Sequence, residues 1–461
     1  MFKPVSYIKF KDYLGQSVSI APLVTFRILF GLAMLFSTVR YMWMGWVDTQ
    51  LINPILHFSY YGFDWVKPLP GYGMYGVFGI IVVSCIAITL GWYYRLFSVV
   101  FFLAFSYVEL IDITYYLNHY YFVSIVSFLL ILVPANRYFS LDVKRNPALL
   151  QREVSRWCIN VFKLQIAIVY CYAGLAKINY DWLFKALPLA IWLPAKTSIP
   201  VIGFIFKYKF TAFLFSWLGM LFDTFIIFGL LFRKTRWLAY TAVVVFHTLT
   251  GILFQIGVFP LVMILVVTIF FSASFHEKLL HRLARLLATK NDKEIAVENM
   301  ATEKRQTMGR LVIPFLLVFF LFQLAFPWRY LLYPGNIFWT EEGYRFSWRV
   351  MLMEKAGTAT FYVKDGMNGR EGSVINHQFL NSHQEKQMAM QPDLILQFAH
   401  YLADNYRSKG MKNPQVRAEV WVTLNARPAK LLIDPKIDLT SEKDTWTAKD
   451  WIVSFDKSAV R

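Results

Sequence analysis

The segment Tyr172-Ala173-Gly174-Leu175-Ala176-Lys177-Ile178-Asn179-Tyr180-Asp181-Trp182 closes a long apolar run with an amine. An ammonium at the lip of a hydrocarbon layer costs roughly 3 kcal/mol or more unless solvated or paired, and desolvation favours the uncharged amine, which is a general base. The competing reading is a lysine that anchors a helix end by extending its charge into water. Other polar residues fall in apolar surroundings. Asn118-His119 opens one apolar run, and His247 lies inside another, in Phe246-His247-Thr248-Leu249-Thr250-Gly251. Glu109 and Asp112 sit near the end of a third, and Asp223 stands alone in a fourth. Each has an ordinary reading as well. His119 suits a headgroup-wetted interface, His247 an interhelical hydrogen bond, Asp112 a partner for a nearby cation, and Asp223 either a structural hydrogen bond or part of a site.

The elements that position these groups follow from composition. Of 461 residues, 57% are hydrophobic, 18% aromatic and only 16% charged, with mean hydropathy +0.44. Such a chain is a polytopic membrane protein. The net charge of +18 does not indicate nucleic acid, because the basic residues lie between the apolar runs and act as topology determinants. Cys85, Cys158 and Cys171 all lie in apolar stretches and form neither a disulfide framework nor a metal-ligand pattern, so no metal site is expected. The first apolar run contains Arg27 and lacks a small-residue cleavage site, so it is expected to remain as a helix.

About nine spans of bilayer length are expected, near 21–39, 73–91, 96–114, 118–135, 157–176, 211–232, 237–255, 257–274 and 311–327. Lysines and arginines number twenty on one set of alternate loops and seven on the other. The positive-inside rule then predicts a cytoplasmic N-terminus over 1–20, eight spans within 21–275, and a basic amphipathic linker over 276–310 lying on the inner leaflet. A ninth helix at 311–327 leads to an extracytoplasmic domain over 328–461. In that domain Thr358–Lys364 and Val416–Leu424 read as strands, and Pro392–Lys409 as a helix stopped by Gly410. The expected fold is thus a multi-span α-helical membrane bundle with a C-terminal extracytoplasmic β-rich or α+β domain. Tyr115-Tyr116 and Tyr120-Tyr121 are expected as aromatic belts at the membrane interface. The topology gathers Lys177, Asn118, His119 and His247 toward the half of the bundle where the soluble domain hangs.

Several segments, in order along residues 20 to 440, resemble the vitamin K-dependent gamma-glutamyl carboxylase family, whose membrane part is the horizontally transferred transmembrane domain. They are Phe26-Arg27-Ile28-Leu29-Phe30-Gly31, Leu117-Asn118-His119-Tyr120-Tyr121, Pro134-Ala135-Asn136-Arg137-Tyr138-Phe139-Ser140-Leu141-Asp142, the Lys177 segment, Phe246-His247, Gln255-Ile256-Gly257-Val258-Phe259, Tyr344-Arg345-Phe346-Ser347-Trp348-Arg349 and Ile433-Asp434-Pro435. The resemblance implies that Lys177 is the base that deprotonates vitamin K hydroquinone, a phylloquinol or menaquinol. It implies catalytic and quinol-contacting roles for His119, quinol contact for Asn118, and a cofactor-binding place for His247. The implied co-substrates are oxygen and carbon dioxide, and the implied partner is a glutamate-containing protein or peptide, with no nucleic acid. Removing a glutamyl γ-proton is far beyond any side-chain base at neutral pH, and the implied driving force is oxidation of the hydroquinone to its epoxide.

Two departures bear on this. Met353 stands where animal members have a histidine, and Ala176-Lys177 replaces two adjacent lysines. The short C-terminal domain suggests a bacterial-type homologue in the cytoplasmic membrane. Quinol epoxidation without carboxylation, or a non-enzymatic transport, immunity or signalling role, are the alternatives. The carboxylase reading expects Lys177 to be an uncharged amine sharing one cavity with the His119 imidazole.

Overall fold

A computed structural model describes residues 7–254, 256–287 and 311–456. Seven helices are long and apolar enough to cross a membrane, and an eighth is added if one bent pair counts as a single span. In chain order the bundle comprises α1 (Ala21–Trp43), α2 (Gly73–Leu90), α3 (Tyr94–Ile111), α4 (Asn118–Leu132), α5 (Trp157–Ala176), α6 (Lys209–Leu231), α7 (Arg236–Phe254), α8 (Phe259–Val266), α9 (Ala273–Leu287) and α10 (Val312–Ala325). The protein is therefore a multi-pass, membrane-type helical bundle followed by a mixed α and β region.

Two of the nine expected spans are shorter than the sequence suggested. Helix α4 has 15 residues, about 22 Å at 1.5 Å per residue, against a hydrocarbon core of about 30 Å. Its extent is limited by Pro134, which disfavours helical backbone at Val133, and by the extended Leu117 before it. Helix α8 passes into a 3-10 turn at Val267–Phe270, and the chain then bends by 116° into α9. Helix α9 buries His276 and Leu280 and exposes Lys278, Arg282 and Arg285, the division expected of an amphipathic surface helix. The rest of the basic linker, 288–310, lies outside the described residues.

Arg27 is fully buried, yet it takes no part in a site. Its guanidinium donates to the carbonyls of Ala135 at 2.8 Å, Phe139 at 2.7 Å and Thr89 at 3.3 Å. Asp142 accepts from the Tyr93 and Tyr94 amides and from Asn136 Nδ2. The Pro134–Asp142 segment is thus a clasp that ties α1, α2 and α3 together at one end of the bundle. Gly91 completes it: its φ is +63°, and a Cβ there would lie 2.5 Å from Ser140 and 2.7 Å from Arg27.

The C-terminal region covers the opposite end. Its antiparallel sheet has the order β2-β1-β3-β4, with β1 (Lys355–Asp365), β2 (Glu371–Ser373), β3 (Pro414–Leu424) and β4 (Lys430–Leu431). Along β3, side chains alternate strictly between buried and half-buried. The buried set, with Val416, Val420 and Val422, packs under the helices α11 (Ser382–Met388) and α12 (Pro392–Ser408), where Phe361 meets Phe398 edge-on at 4.9 Å.

Hydrogen bonds fix this domain to the bundle. Gln384 Nε2 donates to Asp112 at 2.8 Å and to the Leu56 carbonyl at 2.7 Å, and Gln397 exchanges two 3.0 Å bonds with the Ser59 backbone. Arg427 and Asn425 both donate to Asp181. Among the described residues Asp112 accordingly has no cation partner, contrary to expectation; it accepts from Thr114 and Gln384. The expected aromatic belts are corrected too. Tyr115 stacks on His383 at 4.5 Å, Tyr116 binds the Phe346 amide, and Tyr121 stacks on Trp348 at 4.9 Å, so these rings fill the joint between domains.

Candidate functional site

Lys177 is the residue that ends α5, and the helix in front of it is shaped for a close neighbour. A Cβ at Gly174 would lie 2.4 Å from Thr224 Oγ1 and 2.6 Å from its backbone nitrogen, so only glycine lets α6 approach this closely. One residue before Thr224 stands Asp223. The Lys177 Nζ donates to Asp223 Oδ2 at 2.6 Å and to the Ala173 carbonyl at 3.2 Å. Lysine is 6% exposed and aspartate 5%. The amine expected to be uncharged therefore belongs to a buried carboxylate–amine pair. Asp223 was legible in the sequence as a lone acid in an apolar run, a pattern that marks function or a specific partner.

The pair opens on an apolar cavity of about 110 Å³. Trp182, Phe215, Phe246, Phe254 and Phe259 line it together with His247 and Thr250. Trp182 is held in place because its indole N–H donates to the Ser216 carbonyl at 2.8 Å, and its ring lies 5.3 Å from the lysine nitrogen. His247, 2% exposed, has its Nε2 at 2.7 Å from the Tyr170 hydroxyl; its Nδ1 has no hydrogen-bond partner among the described residues.

His119 and Asn118 are in a different space. Both line a larger cavity, of about 580 Å³, in the joint between the bundle and the C-terminal domain. Asn118 accepts from the Tyr116 hydroxyl at 3.0 Å and donates to the Arg349 carbonyl at 2.8 Å. The His119 ring, on a residue 8% exposed, lies 4.5 Å from Tyr120 and 5.5 Å from Phe259. The expected single chamber is thus two cavities separated by a thin wall. Ile256, Phe259, Val350 and Met351 line both. Phe259 stands between the imidazoles, with ring centroids 5.5 Å from His119 and 5.6 Å from His247. Met353 lines the larger cavity, and Glu109 lines neither.

This arrangement defines a class: a multi-pass helical protein that buries an amine–carboxylate pair beside an aromatic cavity and roofs it with a separate α+β domain. Two family models match the chain. The HTTM domain covers residues 16–275, more than half of the sequence, and the lumenal domain of vitamin K-dependent gamma-carboxylase covers residues 308–458. The chain belongs to the vitamin K-dependent gamma-carboxylase family. No solved structure matches it. Its two domains give it a gamma-carboxylase-like character, and among the described residues no group of three or more potential ligands is placed to hold a metal ion.

Proposed function

We propose that the protein is a vitamin K-dependent γ-glutamyl carboxylase that couples oxidation of a reduced vitamin K to its epoxide with carboxylation of glutamate in a protein or peptide. The carrying observation is the buried Lys177–Asp223 pair facing an aromatic, nearly apolar cavity. That lining suits a lipophilic quinol: flat aromatic walls offer stacking, and the few polar groups present are able to meet a phenol. When bound, the quinol and oxygen supply the exergonic oxidation that makes removal of a glutamyl γ-proton feasible, and carbon dioxide is the carbon donor.

The residues of this chain do the rest. At rest the pair is net neutral in either of its forms, so it is tolerated in a low-dielectric setting. In the form whose shared proton rests on Asp223, the Lys177 amine is the acceptor for a phenolic proton; Asp223 fixes its position by hydrogen bond, and the ammonium that results is balanced by the deprotonated phenol. Trp182 and the phenylalanines exclude water that would quench a strong base. His247 and, across the wall, His119 and Asn118 orient the reacting groups. The cavity beside Lys177, about 110 Å³, is smaller than the cavity of about 150 Å³ that admits a single benzene ring. A bicyclic headgroup therefore fits there only if some of the lining side chains shift. The C-terminal domain is proposed to be extracytoplasmic, so that the peptide arrives from water and the quinol from the bilayer.

The test is to incubate purified protein with reduced vitamin K, labelled hydrogencarbonate and a glutamate-containing peptide, and to measure epoxide and fixed label together. Both products are expected. Epoxide without label would assign quinol oxidation alone, and neither product across several peptides would leave a non-enzymatic role.

A further inference from the structure

The end of the bundle away from the C-terminal domain is basic in a way that the proposed chemistry does not use. The α6–α7 turn carries Arg233, Lys234 and Arg236 with no acid, and α9 carries Lys278, Arg282 and Arg285 against Glu277 alone, whose carboxylate accepts from the Ser19 hydroxyl at 2.8 Å. Aromatic packing joins the two elements. The Trp237 ring lies 4.5 Å from Phe271 and 5.9 Å from Phe275. Within the membrane helices at this end the cations are Arg27, Arg95, Lys163 and Arg236. Three of them are spoken for by carbonyls. Arg27 donates to Ala135, Thr89 and Phe139, Arg95 to Ile131, and Arg236 to Leu230 at 2.8 Å and Leu231 at 3.0 Å. Lys163 is the exception. Almost two turns into α5, it makes no ion pair and no hydrogen bond among the described residues, and the charges that act on it are those of Arg236 and Arg156, both cations.

We infer that Lys163 is the cation of a binding site for one anionic phospholipid, whose phosphate seats between α5, the α6–α7 turn and the α8–α9 bend. The position of the amine supports this. A lysine that merely anchors its helix carries its charge out into water. The Lys163 nitrogen instead lies 5.7 Å from the ring centroid of Phe270, a residue 2% exposed at the bend. His276, the other titratable group there, is committed, with Nε2 at 3.1 Å from the Thr268 carbonyl. Lys163 is half-buried and its nitrogen keeps accessible surface, so an incoming anion reaches it. An ammonium is a point-charge partner for phosphate, and a basic pocket between membrane helices is the setting in which anionic headgroups are recognised. The surroundings suit the rest of a lipid. Leu164, Trp237 and Leu238 are exposed beside the cations and offer apolar surface to acyl chains, while Arg233 and Lys234 stand at the level of a headgroup. A free phosphate ion would meet the same amine but leave those apolar side chains bare. The site is independent of the carboxylase reading.

The experiment measures binding, so that it needs no turnover. Full-length protein in detergent is titrated with dioleoylphosphatidylglycerol and, in parallel, with dioleoylphosphatidylcholine, and bound lipids are counted by native mass spectrometry. Wild type is expected to hold one phosphatidylglycerol roughly tenfold more tightly than phosphatidylcholine. Lys163→Met keeps an apolar stem and should bring that ratio to within about twofold, with a melting temperature in phosphatidylcholine no lower than that of wild type. Lys163→Arg should keep most of the preference, and so should Arg282→Gln on the exposed face of α9. In wild type alone, a phosphatidylglycerol with a diazirine in its headgroup should label α5 or the α6–α7 turn. Equal binding of the two lipids by wild type would overturn the proposal, as would a full preference in Lys163→Met or labelling confined to α9. Loss of the preference when inorganic phosphate is added at the concentration of the lipid would replace the lipid site by one for a free ion.

Discussion

Lys177 and Asp223 meet at 2.6 Å across two helices that touch through a glycine. That contact changes the proposed base from a single amine into a pair, and it makes α6 as much a part of the candidate site as α5. Removing one member of a buried pair costs on the order of 3–5 kcal/mol because the other charge is left uncompensated. Lys177→Ala is expected to abolish both quinol epoxide and fixed label. Asp223→Asn should lower both at least tenfold and reduce thermal stability, whereas Asp223→Glu should recover part of the rate. Wild-type turnover in Asp223→Asn would remove the aspartate from the site.

Gly174 sets the distance of that pair. Alanine there would place a methyl 2.4 Å from Thr224 Oγ1 and 2.6 Å from its amide nitrogen, which the helices relieve only by separating. Overpacking of this kind costs about 1–3 kcal/mol. Gly174→Ala should lower the melting temperature and reduce epoxide formation together, and Gly174→Ala combined with Thr224→Ala should restore some of each. No recovery in the double variant would show that the glycine serves something other than this contact.

Phe259 is the wall between the two cavities. Replacing it with alanine should join them and admit water to the space beside Lys177. The expected result is quinol oxidation that continues while fixed label falls, so that the ratio of epoxide to label rises several-fold over wild type. An unchanged ratio would mean that the ring does not separate the two half-reactions.

Two carboxylates outside the membrane helices predict how the domains respond to acid. Burial alone pushes the Asp181 and Asp393 carboxyls up, but Arg427 and Asn425 at the first, and Arg345 at the second, bring both below the ordinary aspartate value. A depressed value in the folded state means the stabilisation is complete above the unfolded value near pH 4 and is lost as pH falls through the folded one. Thermal stability, scanned from about pH 6 down to about pH 3, should hold to about pH 4 and then decline. Arg427→Gln should flatten part of that decline. An acid profile identical to wild type would exclude the Asp181–Arg427 joint as a contributor.

The mixed α and β region was legible because each of its signals is local. Strict alternation marked β3 within two residues of its start, and proline and glycine bracketed α12. The apolar runs marked every membrane helix, but their lengths misled at α4 and α8, where protein rather than lipid surrounds a short segment and a bend ends the other. Hydropathy reports what a stretch tolerates, not what covers it.

The site divides in the same way. The sequence by itself indicated that an amine, an imidazole and an amide stand at helix ends, and a second imidazole within a helix, toward the side of the C-terminal domain, since periodicity and charge bias fix depth and direction along a helix. Only the tertiary structure decided which of them meet. Rotation and spacing between helices are set by packing: Gly174 against Thr224 brings Asp223 to Lys177, while Phe259 keeps His119 from them.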